Sequence, residues 1–362
     1  MPKSAKYLLI GSTEAYCGKS ATILGVAHQL QERGLDIAYG KPLGTCLSES
    51  QTDNLEEDVQ FIAEVLKLPA NRLRPTLLSL DAETIQKRLR GEDYTDYRQA
   101  LRHYLEETSG DIALLEGPGT LSEGNLFDLC LRQMAEDIDA AVLLVTRFNS
   151  VLLVDNLLSA KQRLGDRLTG VMINDIAVEH LDAAQNLVRP FLESKGIPVL
   201  GMLPRSSLLR SVSVAELVRQ LKAEVLCRPD RLGLMVESLT IGAMNVNSAL
   251  EYFRKGNNMA VVTGGDRADI QLAALETSTQ CLILTGHLPP QPFILSRAED
   301  LEIPVLSVDL DTLSTVEIID RAFGQVRLHE PIKVQYIRQL IAQHFDIDRL
   351  LSYMGVELPV TV

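Results

Sequence analysis

The 362 residues carry 48 acidic against 35 basic side chains, a formal net charge of -13, and 46% of them are apolar. That is enough apolar material for sizeable cores, and the length points to two domains. The acidity speaks against a nucleic-acid binder and against docking on anionic lipid, because both need clustered Lys and Arg.

Short apolar runs alternate with amphipathic stretches along the chain, the pattern of a parallel α/β sheet. Tyr7–Ile10 reads as a strand. It is too short for a signal-peptide core, and no later run approaches a membrane span, so a cytoplasmic location is expected. Ala21–Arg33 reads as a helix and Asp36–Tyr39 as the next strand. In Leu55–Leu66, the residues Val59, Phe61, Ile62, Val65 and Leu66 recur at helical spacing. Ala82–Leu89 and Tyr97–Thr108 are further helices, and Ile112–Leu115, Ala140–Val145, Leu168–Ile173 and Val199–Gly201 are strands. The Pro, Arg and Ser residues of Pro204–Ser213 break this rhythm and mark a domain boundary. Beyond it, Gly233–Val236, Met259–Thr263, Cys281–Leu284 and Val305–Val308 read as strands, with helices at Ala243–Lys255, Asp266–Glu276 and Val316–Gly324. The tail, Ile332–Leu351, is expected to be helical and to serve domain packing or dimerisation. The expected domains are 1–212, 213–328 and a C-terminal tail, 329–362.

Five cysteines, Cys17, Cys46, Cys130, Cys227 and Cys281, are scattered, and none forms a Cys-x-x-Cys pair. Neither a zinc site nor a disulfide framework is suggested. Cys17 stands near a helix start that would favour a thiolate, but no motif corroborates a redox role and it reads as filler.

The most informative segment is Gly11-Ser12-Thr13-Glu14-Ala15-Tyr16-Cys17-Gly18-Lys19-Ser20, between the first strand and the first helix. Small residues there let backbone N–H groups turn towards phosphate oxygens, and the helix start offers its own N–H groups and positive dipole end to the same anion. Lys19 would neutralise β- and γ-phosphates, and the Ser20 hydroxyl would ligate Mg²⁺. Ser12 to Ala21 would then surround the nucleotide. The residue five before Gly18 is Thr13, not the glycine of the standard spacing.

Two further segments belong with this loop. Lys41-Pro42 follows the second strand, where the lysine is either a solvated surface group or projects into the phosphate crevice. Glu116-Gly117-Pro118-Gly119 ends a strand in an acid and a tight turn. The acid reads either as a turn carboxylate or as a Mg²⁺ ligand.

Together, the Gly18-Lys19-Ser20 loop, Lys41-Pro42 and Glu116-Gly117-Pro118-Gly119 resemble the dethiobiotin synthetase-like branch of P-loop proteins. The resemblance covers roughly the first 210 residues. It implies a homodimeric α/β fold that uses ATP and Mg²⁺, with Lys19 and Lys41 as catalytic lysines. It makes Ser20 and Glu116 metal ligands, with an early Asp as the third, assigned to Asp58 with Asp53 as runner-up. By the same resemblance Asn174 reads adenine, and Ile197–Pro204, ending at Pro204, flanks it. Ser12 departs from the pattern, standing where the synthetase loop has its first glycine, and no counterpart of the family's diaminopelargonate contacts is found.

Further on, Met259–Thr263 leads into Gly264-Gly265-Asp266-Arg267. About Leu217 to Gly324 is similar to the DRTGG domain, a module of the middle region of long bacterial phosphate acetyltransferases, where it follows a dethiobiotin synthetase-like domain. The fold class implied is α/β, a parallel-sheet P-loop domain with a second, smaller α/β domain of DRTGG type. An acetyltransferase domain would need a further long segment, so acetyl transfer is not expected of these residues. Read from the residues alone, Gly264 and Gly265 allow a tight turn whose N–H groups could bind an anion, with Asp266 as N-cap and Arg267 as charge partner. The same turn reads equally as a structural strand-to-helix connection.

Three functions remain open. The first is a regulatory nucleotide sensor that relays its state to a protein partner or a second small ligand. The second is an ATP-dependent carboxylate-activating enzyme, and the third an interaction scaffold with a degenerate loop.

Overall fold

The computed structural model describes residues 6–45, 54–106, 108–286, 288–324 and 330–356. They fall into two compact units, one bounded by Met1–Arg205 together with Leu328–Val362, the other by Ser206–Arg327.

The first unit holds a seven-stranded sheet. Its strands are β1 (Lys6–Ser12), β2 (Ile37–Gly40), β3 (Leu73–Arg74), β4 (Ile112–Glu116), β5 (Ala141–Arg147), β6 (Leu168–Ile176) and β7 (Val199–Pro204). They lie side by side in the order β3-β2-β4-β1-β5-β6-β7, with every pairing parallel. Both faces of the central strands are covered, which is why β1, β4 and β5 read as unbroken apolar runs. Leu8, Leu9, Ile10, Ile112 to Leu114 and Val142 to Val145 are fully buried. The chain winds to one side of β1 through β2 and β3, inserts β4, and then steps to the other side through β5, β6 and β7. This reversal opens a crevice at the carboxyl ends of β1 and β4, where ligands of open α/β sheets bind. Helix α1 (Lys19–Glu32) starts there, and its residues Ile23, Leu24, Val26, Ala27 and Leu30 are buried.

The second unit is a smaller five-stranded sheet: β8 (Glu224–Cys227), β9 (Ser238–Ile241), β10 (Met259–Gly264), β11 (Thr279–Thr285) and β12 (Val305–Ser307). The order is β8-β12-β11-β10-β9, antiparallel only at β8. Two expectations need correction here. The strand expected at Gly233–Val236 shrinks to Met235–Val236 and pairs with Val212–Ser213 outside this sheet. The parallel edge strand is instead Ser238–Ile241, whose half-exposed residues give no buried run to detect. The helix expected from Ala243 starts at Val246, because the Asn245 side chain accepts from the Ser248 amide and caps it there.

After the second unit the chain returns to the first. Helix α2 (Pro331–His344) packs along α1, and α3 (Ile347–Met354) lies against β6 and β7. The single helix expected over Ile332–Leu351 is therefore two. Phe345 is extended, forms a β-bridge with Gly201, and is followed by Asp346, whose amide donates to the Leu200 carbonyl at 2.7 Å. Arg349 of α3 donates to both carboxylate oxygens of Glu193, at 2.7 and 2.8 Å. This bond holds the Glu193 carboxyl below the ordinary carboxylate range. Its stabilisation is present above the unfolded pKa of about 4.3 and is lost as pH falls through the lower, folded value.

The α1–α2 contact is close. A Cβ on Gly25 would lie 2.3 Å from Ile341 Cγ1. Gly25→Val should therefore cost about 1–3 kcal/mol in urea unfolding by overpacking. Adding Ile341→Ala should make the pair less costly than the sum of the two single changes. Strict additivity would mean that α2 does not pack on α1 at this point.

Candidate functional site

The loop between β1 and α1 is fastened from below by the ends of β5 and β6. The Thr13 amide donates to the Val145 carbonyl at 3.2 Å, and the Thr13 hydroxyl to Thr146 Oγ1 at 2.9 Å. The Arg147 guanidinium, at the end of β5, donates to the Tyr16 carbonyl at 2.5 Å, and Asn174 Nδ2 of β6 donates to the Cys17 carbonyl at 2.9 Å. Glu14 Oε1 accepts a longer bond from Asn149, at 3.5 Å. Tyr16 holds a left-handed φ of 55°, which costs a non-glycine residue about 1–2 kcal/mol. Gly18 has φ 102°, and a Cβ on it would sit 2.5 Å from Asn174 Nδ2, so both conformation and space require glycine. Ala21 lies in the first turn of α1. No side chain caps that helix, and no acidic residue stands in its first turn. The start of α1 thus keeps the donor character suited to an anion.

A second set of contacts converges at the carboxyl end of β4. Glu116 is only 5% exposed, and its carboxylate accepts from the Ser20 hydroxyl at 3.2 Å and the Tyr39 hydroxyl at 3.1 Å. The Lys41 ammonium stands 3.9 Å from Glu116 Oε1 and is itself nearly buried. Lys41 is therefore not a solvated surface group; its ammonium is turned towards Glu116. Lys19 Nζ donates to Ser12 Oγ at 3.1 Å, and Ser12 Oγ donates to the Gly119 carbonyl at 2.8 Å. The serine that replaces the family's first glycine thus ties the loop lysine to the turn after β4.

The structure therefore brings Ser12, Thr13, Cys17, Gly18, Lys19, Ser20, Lys41, Glu116 and Asn174 together. Pro204 ends β7, paired with Ile176 two residues past Asn174. Asp58 lies in the helix Asn54–Leu66 with its side chain outside the description, and Asp53 and Cys46 lie outside the described residues. Among the described residues no group of three or more His, Cys, Asp or Glu gathers. Ser20 and Glu116 do present adjoining oxygen donors, a set that fits Mg²⁺, which takes few protein ligands and completes its shell with phosphates and water. Sequence reasoning missed Tyr39 and Arg147. Each stands at or beside the carboxyl end of a buried strand, and that position is the one signal that could have found them.

The turn in the second unit differs from expectation. Asp266 is not the N-cap of the helix Ala268–Leu275; Arg267 occupies that position and makes no side-chain cap bond. The Arg267 side chain instead bonds to Asp269 at 3.2 Å and to the Met244 carbonyl at 2.9 Å. Gly264 and Gly265 do not adopt positive φ. Gly265 is required by close approach, since a Cβ there would lie 2.0 Å from the Leu288 carbonyl oxygen. The buried Gln271 amide donates to the carbonyls of both glycines, at 2.8 and 3.0 Å.

Cys17 is buried, with its thiol 3.5 Å from the Val145 carbonyl, and desolvation pushes its pKa up despite the nearby Lys19. At pH 8 its thiolate fraction should fall below that of a free cysteine, whose pKa is about 8.5. Peptide mapping after iodoacetamide treatment should find Cys17 unmodified in the native chain and modified in urea. Rapid native labelling would contradict this burial.

Residues 6–213 match the family model described as an AAA domain, and residues 216–322 match the DRTGG domain. Among curated relatives, the phosphate acetyltransferase of Synechocystis sp. is 24% identical over 369 residues, covering 96% of this chain and 51% of that protein. The phosphate acetyltransferase of Nitratidesulfovibrio vulgaris is 26% identical over 371 residues, covering 95% of this chain and 51% of that protein. The chain thus spans about half the length of the curated relatives it matches. Among solved structures, the CBS and DRTGG domains of the regulatory region of Clostridium perfringens pyrophosphatase, complexed with the activator diadenosine tetraphosphate, are 24% identical. That likeness covers 43% of this chain and 75% of the other at a TM-score of 0.28. With more than half of its length matched by the first model, the chain belongs to the AAA domain family of dethiobiotin synthetase-like P-loop proteins, joined to a DRTGG domain as in the N-terminal and middle regions of long bacterial phosphate acetyltransferases.

Proposed function

We propose that the first unit binds ATP with Mg²⁺ and that the protein is a regulatory nucleotide sensor, its second unit carrying the response to a protein partner or a second small ligand. The observation that carries this reading is the convergence of Ser20, Lys41 and buried Glu116 beside Lys19, at the switch point of the sheet. Lys19 would leave Ser12 for the β- and γ-phosphates, a stronger partner for an ammonium than a hydroxyl. Ser20 and Glu116 would hold Mg²⁺, which neutralises phosphate charge when bound. Lys41 would turn from Glu116 towards the terminal phosphate, and Asn174 would stand at the adenine end, near Pro204. The turn Gly264–Arg267 is kept as the candidate second site, separate from the nucleotide.

Calorimetry with ATP, ADP and GTP, with and without Mg²⁺, tests this directly. Mg²⁺-dependent ATP binding is expected, and Lys19→Ala should weaken it about tenfold or more, the worth of a charge-assisted contact. Glu116→Gln keeps the shape but leaves one acceptor oxygen where the carboxylate has two, and it should shrink the gain from Mg²⁺. Absence of heat with every nucleotide would leave the scaffold reading, and steady turnover raised by a small carboxylate would favour the ligase reading. Arg267→Ala should leave ATP affinity unchanged; a large loss would contradict a separate second site.

A further inference from the structure

A line of charged side chains connects the P-loop backbone with the point where the chain leaves the first unit. It starts at the Tyr16 carbonyl, which accepts from Arg147 at 2.5 Å. Arg147 Nε stands 3.8 Å from Asp175 Oδ2, and Asp175 Oδ1 accepts from Arg205 Nε at 3.0 Å. Arg205 follows the last strand of the sheet, its own amide bonded to the Ile176 carbonyl at 2.8 Å. It is the last residue of the first unit before the crossing, and Ser206 opens the second. The Asp175 carboxylate is 13% exposed and sits between the two guanidinium groups.

The two residues joined through Arg147 are both strained. Tyr16 has φ 55° and Asp175 φ 58°, and neither is glycine. Asp175 also lies where the pairing of β6 with β7 shifts register, between Ile173 and Ile176. Such positions persist only where their surroundings hold them, and they cluster at clamps and switches. The second crossing meets the same machinery, since the returning chain lays α2 along α1, the helix that starts in the P-loop.

We propose that Arg147, Asp175 and Arg205 pass the occupancy of the P-loop to the second unit, a regulatory device that rests on the nucleotide-binding reading above. The Arg147 guanidinium has two alternative partners. Its present partner is the neutral Tyr16 carbonyl. A phosphate bound at the loop offers it a charged acceptor, which makes the stronger bond. Moving Arg147 changes its hold on Asp175 and leaves Arg205 to share that carboxylate differently. The strand end that carries Arg205 is continuous with the helix Ser207–Arg210, capped by Ser206 at the start of the second unit. Such a relay requires two arrangements that differ in their affinity for the anion, because only differential affinity lets a ligand shift them.

Hydrogen exchange of the full chain, with and without MgATP, tests this at residues 207–221. MgATP should change exchange there about fivefold, the lower end of ordinary coupling free energies. Asp175→Asn keeps the shape and tolerance of left-handed backbone but removes the charge, and it should abolish most of that change while MgATP still binds. Arg205→Gln, at a half-exposed position, should do the same and guards against a folding defect in the first variant. Equal transmission in both variants, or MgATP binding to the unaltered chain with no change at 207–221, overturns the relay alone. Absence of MgATP binding to the unaltered chain overturns the nucleotide reading and the relay with it.

Discussion

The first unit depends on how one buried carboxyl group is supplied with partners out of water. Glu116 ends a central strand whose other residues are entirely apolar, and an uncompensated charge there would cost several kcal/mol. Its three partners come from two places in the chain: Ser20 from the first turn of α1, and Tyr39 and Lys41 from the end of β2 and just beyond it. Satisfying Glu116 therefore fixes the register of β2 against β4 and the start of α1 against both. The crevice owes its shape to this demand as much as to the strand order. Polar groups from α1, β2 and β4 are thereby aimed at a common point.

The P-loop itself is held by a complementary set of bonds on the opposite side. Val145, Thr146, Arg147 and Asn174 fasten its backbone from β5 and β6, while Ser12 joins Lys19 to the turn at Gly119. The irregular spacing of the loop is explained by these contacts. Ser12 uses its hydroxyl where the family pattern has a glycine, and Thr13 uses both its amide and its hydroxyl on β5. Side-chain bonds thus hold parts of the loop that glycines would leave to backbone alone.

The sequence reading recovered six of the seven parallel strands of the first unit because buried strands there are continuous apolar runs, and it missed the two-residue edge strand Leu73–Arg74, which has no buried residue. It singled out Lys19, Ser20, Lys41 and Glu116 because each stands at a strand end or a helix start. It did less well where burial is partial. The edge strand Ser238–Ile241 has no fully buried residue. The helices Leu153–Leu164 and Val214–Leu221 were passed over although their buried residues recur at helical spacing and Ser213 caps the second of them. Arg147 and Asp175 were invisible for another reason. A lone Arg after a strand, or an Asp after an Asn, carries no spacing signature, and their importance comes from strands that are distant in sequence lying side by side. The break at Phe345 was likewise hidden, since a bridge to Gly201 interrupts a pattern that is otherwise helical.

The return of α2 and α3 to the first unit has a consequence for how the chain is made. The face of α1 that meets Ile341, and the strand that meets Phe345, are among the first and middle segments to leave a ribosome, yet their cover is synthesised only after the entire second unit. Until then that side of the first unit lacks its cover, and its contacts are closed over a very long loop. The smaller unit, contiguous in sequence, can finish folding earlier, so completion of the first unit waits on synthesis of all of the second.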